Sequence, residues 1–62
     1  GLQARVLPSP DGIAFEVVEG LDVQPLHTRL MGDFNIDNLL GVIGSLRALG
    51  ITLSQAVEAF HT

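Results

Sequence analysis

The stretch Asn35-Ile36-Asp37-Asn38-Leu39-Leu40-Gly41-Val42-Ile43-Gly44-Ser45-Leu46-Arg47-Ala48-Leu49-Gly50 decides how this chain folds, because the spacing of its apolar residues changes there. Ile36, Leu39, Leu40, Ile43 and Leu46 follow the i, i+3, i+4, i+7 template of a helix with one buried face. Asn35 precedes the first of them as an N-cap, and Asp37 falls in the first turn, at the positive end of the helix dipole. Gly50 follows Arg47-Ala48-Leu49 as a C′ residue and stops the helix. The spacing predicts a helix near residues 35–49, roughly 21 Å long.

Upstream of this helix the period is two. Gln3, Arg5 and Leu7 alternate with Leu2, Ala4 and Val6; Ile13, Phe15 and Val17 alternate with Ala14, Glu16 and Val18. Pro10-Asp11-Gly12 between the two runs presets one negative φ and then frees the next, so it reads as a hairpin turn. A second turn sits at Glu19-Gly20. A third extended segment, with Leu26, Thr28 and Leu30 on one face and Pro25 within it, reads as an edge strand. Downstream, Thr52-Leu53-Ser54-Gln55 is a capping-box pattern, and Leu53, Ala56, Val57 and Phe60 form the apolar stripe of a short closing helix.

The expected fold is therefore α+β: a three-stranded antiparallel sheet followed by two helices packed on one of its faces. Strands are expected near residues 2–8, 12–19 and 22–31, and helices near 35–49 and 53–60. Residues 1–62 form a single small unit, antiparallel strands over 1–31 and a helical part over 35–60. The core should include Val6, Phe15, Val17, Leu30, Ile36, Leu39, Leu40, Ile43, Leu46 and Phe60.

Composition narrows the function. At 62 residues such a unit hides only about 60% of its unfolded surface, so the core is thin. The absence of Cys excludes a disulfide scaffold, thiolate zinc and a Cys nucleophile. Three Arg, no Lys and seven acids leave a net charge of -4, which disfavours nucleic acid and anionic membranes as partners. The apolar run from Leu39 to Gly44 is far too short to span a bilayer, and no basic segment followed by an apolar one opens the chain at Gly1. These features predict a cytoplasmic chain, and a start at Gly1 without Met fits an excised piece of a longer protein.

The polar residues assemble no catalytic pattern. Asp33-Phe34-Asn35-Ile36-Asp37 imitates the opening of an EF-hand loop, but Asn38 stands where the turn needs Gly and Gly44 where a bidentate Glu is required. His27 and His61 lie far apart, and zinc could be completed only by carboxylates such as Asp33. Ser9, Ser45 and Ser54 lack a nucleophile-elbow setting, and Glu16 and Glu19 belong on a solvated strand and turn. A Walker A loop is impossible without Lys. One helix face is unusual: Gly41, Gly44, Ser45 and Ala48 are small, Val42 and Leu49 flank them, and two interior Gly cost about 1 kcal/mol each relative to Ala. That face reads as a second packing surface.

Leu30-Met31-Gly32-Asp33-Phe34-Asn35-Ile36-Asp37-Asn38-Leu39-Leu40, continuing to Leu46, Ala48-Leu49-Gly50 and Leu53, resembles the L-x-G-x-F-N-x-x-N-L-L…L…A-L-G…L block of the Mur ligase family, ATP-dependent amide ligases of peptidoglycan precursor synthesis. Phe34 before the first Asn is similar to the branch that adds the third stem-peptide residue, the UDP-N-acetylmuramoyl-tripeptide synthetases. The resemblance implies a fragment of the central ATP-binding domain, a sub-part of a larger α/β unit. It places the phosphate loop, the catalytic acid, the modified lysine and the magnesium ligands upstream of this block, and the amino-acid-binding domain downstream.

On the same resemblance Asn38 is the nucleotide-binding residue, set against the adenine, while Asn35 orders the helix start. ATP and Mg would serve the parent enzyme, neither being expected for this chain alone, and the partner would be the remainder of the central domain. Gly41 and Gly44 depart from the Ala usual in the family. Two functional readings follow: a non-catalytic piece of a Mur ligase that completes the central domain and lines the adenine site, or a small interaction module that binds through its small-residue helix face.

Overall fold

The computed structural model describes residues 1–29 and 35–62. Three strands, Leu2–Leu7 (β1), Ile13–Glu19 (β2) and Asp22–Thr28 (β3), form one antiparallel sheet in the order β1-β2-β3. Two helices follow, Ile36–Ala48 (α1) and Leu53–Glu58 (α2). α1 packs on β1 and on α2, and α2 packs on β3, so both helices cover one face of the sheet. The α+β arrangement expected from the two periodicities is the one observed.

Turn chemistry sets the register. Ala14 pairs with Leu7 across the first connection, and Gly12 there has φ +67°, the left-handed region that favours glycine. A Cβ on Gly12 would sit 2.5 Å from the Thr28 carbonyl oxygen, so the position also needs Gly for close approach. The second connection is the two-residue loop Gly20-Leu21 between the paired Glu19 and Asp22. Its φ is positive at Gly20 and at no non-glycine residue, as a type II′ turn requires.

That register puts Phe15 between Val6 and Leu26, and Val17 between Ala4 and Gln24, on the face toward the helices. The buried core is Phe15, Val17 and Leu26 from the sheet, Leu39 and Ile43 from α1, and Leu53, Ala56 and Val57 from α2. Leu2, Ala4, Ile13, Leu40, Leu46, Ile51 and Phe60 pack around it.

Of the expected core, Val6 is 63% exposed, because it stands near the outer end of an edge strand with no described element over it. Ile36, in the first turn of α1, is half-buried. Leu30 lies outside the described residues, as does the expected end of the third strand at residue 31. Within them β3 stops at Thr28, opposite Ile13, because β2 has no earlier residue left to pair. α2 stops at Glu58 rather than 60, and Ala59-Phe60 turns Phe60 back against the core.

Candidate functional site: the first turn of α1 and its surroundings

Asn35 is the N-cap of α1. Its backbone is extended, at φ -124° and ψ 168°, and its side-chain Oδ1 accepts from the Asn38 N–H at 2.8 Å. The Asn35 carbonyl accepts from the Leu39 N–H at 3.0 Å, so one residue satisfies two of the helix's opening donors. Asn38 is thereby fixed as the third residue of α1, its main-chain N–H consumed by the cap and its carboxamide exposed. A carboxamide offers both a donor and an acceptor. Sequence reading separated these two asparagines correctly as regards capping. Asp33, on which the calcium and zinc readings depended, lies outside the described residues.

The far end of α1 is closed by a Schellman motif. Ile51 N–H donates to the Leu46 carbonyl at 3.1 Å and Gly50 N–H to the Arg47 carbonyl at 2.9 Å, with Gly50 at φ +92°. Arg47 ties this end to the sheet: Nε donates to Glu19 Oε1 at 2.8 Å and Nη1 to the Ile51 carbonyl at 2.8 Å. Thr52 and Gln55 then form the capping box that starts α2. The axial position of Asn38 is thus held by both ends of its helix.

The small-residue face divides. Gly44 is turned toward the sheet, where a Cβ would lie 3.5 Å from Leu2 Cδ1. It belongs to the α1–β1 contact and not to a second packing surface, which corrects its assignment to that face. Gly41, Ser45 and Ala48 are exposed, and Ser45 Oγ donates back to the Gly41 carbonyl at 3.0 Å.

Charges are paired locally. Arg5 and Glu16 face each other across β1 and β2 at 3.0 Å, Arg29 holds Asp11 at 2.9 Å, and Arg47 holds Glu19. His27 is half-exposed and engaged at both ring nitrogens: Nε2 is 2.8 Å from the Asp11 main-chain oxygen and Nδ1 is 3.1 Å from that of Thr62. Hydrogen bonding to those two oxygens, Asp11 first, raises the His27 pKa above its ordinary value. The sequence signal was the hairpin register, which places the Asp11 turn beside the end of β3. Among the described residues no group of three His or carboxylate side chains could hold a metal, and no helix is long and apolar enough to cross a membrane.

No family model matches the chain, and no solved structure matches it. Curated proteins do. A protein of Acidovorax sp. (strain JS42), named UDP-N-acetylmuramoyl-L-alanyl-D-glutamate--2,6-diaminopimelate ligase, is 44% identical over 59 residues, covering 94% of this chain and 12% of that protein. Proteins of the same name from Xylella fastidiosa (strain Temecula1 / ATCC 700964) and Janthinobacterium sp. (strain Marseille) are 47% identical over 51 residues and 42% over 48. These cover 82% and 77% of this chain, and 10% and 9% of those proteins. The chain's sequence belongs to the Mur ligase family. It spans at most 12% of the length of these curated relatives, so it corresponds to one segment of a Mur ligase.

Proposed function

We propose that this chain is a segment of an ATP-dependent Mur ligase that joins 2,6-diaminopimelate, as third stem-peptide residue, to UDP-N-acetylmuramoyl-L-alanyl-D-glutamate. The observation that carries this reading is 44% identity over 59 residues to a relative bearing that name. The segment's part is structural and nucleotide-lining: it completes the central domain and presents Asn38 to the adenine.

The geometry supports that role. Asn38 sits on an exposed first turn, and the cap bond from Asn35 fixes its backbone without using its carboxamide. A carboxamide matches the donor and acceptor pair of adenine N6 and N7. When bound, ATP with Mg supplies the activation of the acyl group. The described residues of this chain contribute orientation of the base, and the phosphate and metal ligands belong to the rest of the ligase. That remainder, in the cytoplasm, is also the partner for the sheet face opposite the helices, where Leu7 and Val23 are exposed.

The test is a purified full-length ligase carrying this segment. ATP consumption should require both UDP-N-acetylmuramoyl-L-alanyl-D-glutamate and 2,6-diaminopimelate. Equal activity with lysine in place of diaminopimelate, or ATP consumption indifferent to either substrate, would overturn the reading.

A further inference from the structure

His27 is half-exposed on the sheet face away from the helices, and it is the meeting point of three distant parts of the chain. Its Nε2 faces the main-chain oxygen of Asp11, in the first turn, at 2.8 Å. Its Nδ1 faces the main-chain oxygen of Thr62, beyond α2, at 3.1 Å. Around it Thr62 N–H donates to the His27 carbonyl at 3.2 Å, and the Arg29 N–H donates to Thr62 Oγ1. Both ring nitrogens therefore face oxygens that can only accept. A neutral imidazole carries one N–H and one lone pair, whereas the imidazolium carries two N–H donors.

We propose that His27 is a proton-operated clasp: as imidazolium it ties the first turn and the segment at Thr62 together, and on losing a proton it releases Thr62. The proton retained is the one on Nε2, because that bond is shorter and the Asp11 carboxylate stands 3.7 Å from the same nitrogen. Deprotonated Nδ1 then sets a lone pair against the Thr62 oxygen, which repels it. The charged groups facing the ring are the Asp11 carboxylate, which favours the imidazolium, and the Arg29 guanidinium, which opposes it and is itself bound to Asp11. Ala14, its partner on β2, carries no charge. Because the folded-state pKa is raised, the clasp's contribution is complete below the unfolded value of about 6.5 and is lost as pH rises through the folded value. The clasp thus sets the direction of the chain after α2 by pH, independently of Asn38 and of the ligase reading.

The test is NMR on the 62-residue chain with its C-terminus amidated, so that the Thr62 oxygen facing Nδ1 is a neutral carbonyl, following His27 ring nitrogens and amide exchange at Arg29 and Thr62 across the titration. Native His27 should titrate above its own value in the urea-denatured chain. Protection of the two amides, normalised to intrinsic exchange, should fall by about three- to tenfold as it does, the range expected for one lost hydrogen bond. His27→Gln should abolish the pH dependence. Asp11→Asn should keep it, since the acceptors are main-chain oxygens. The proposal is overturned if His27 titrates alike in both states, if protection is indifferent to pH, or if Asp11→Asn alone removes the effect.

Discussion

Asn35 and Asn38 are the same residue type three positions apart, and the cap geometry gives them different work. Asn35 Oδ1 is bound to the Asn38 N–H, so Asn35→Ala should destabilise the fold by about 1 kcal/mol, read as a lower denaturation midpoint. Asn38→Ala removes no described cap bond. In the full-length ligase it should raise the KM for ATP by about 3- to 30-fold through ~0.7–2 kcal/mol of lost binding, with a smaller change in kcat. An unchanged KM for Asn38→Ala beside a raised one for Asn35→Ala would reverse the two roles. Gly12 is a third decisive residue. With φ +67° and a Cβ position 2.5 Å from the Thr28 carbonyl, Gly12→Ala should cost more than the ~1 kcal/mol of an ordinary unfavourable Gly replacement, measurable by chemical denaturation.

At the scale of elements, what was readable in the sequence is what local chemistry decides. The caps Asn35, Gly50 and Thr52 each specify a bond between residues no more than five apart, and all three are formed. Strand alternation likewise put Phe15 and Val17 inward. What could not be read depends on where elements cross: that Val6 is left exposed, that Gly44 meets Leu2, and that Thr62 returns to His27. The site was legible in part: the asparagine spacing marks the cap and first turn of a helix, which local bonds decide, whereas what the exposed Asn38 carboxamide recognises is not fixed by spacing within one helix. The two α1 glycines now make opposite demands on explanation. Gly41 has open space where a Cβ would be, so Gly41→Ala should stabilise the isolated chain by about 0.5–1 kcal/mol through helix propensity alone, seen as a higher thermal midpoint. At Gly44 the Cβ would make ordinary contact with Leu2 at 3.5 Å, so Gly44→Ala should be stabilising as well, and a lowered thermal midpoint would mean that the α1–β1 contact has no room for a methyl group.

For the whole molecule the relevant quantities are its small size and the location of its charges. The folded chain exposes 4013 Å², against about 9,600 Å² for an unfolded chain of this mass, so it keeps the modest burial expected of so short a unit. Its three arginines are each engaged with a carboxylate, so bringing one to a triphosphate means breaking a formed pair. One carboxamide contact contributes about 0.5–1.5 kcal/mol net, whereas even a 1 mM dissociation constant requires about 4.1 kcal/mol. The isolated 62-residue chain should therefore bind ATP too weakly to detect at millimolar nucleotide, and should neither hydrolyse it nor ligate. Equilibrium dialysis and a phosphate-release assay against a buffer control measure both. ATP turnover by the purified chain above that control would mean that a phosphate-handling group resides in this segment, and the division of labour proposed between it and the rest of the ligase would have to be abandoned.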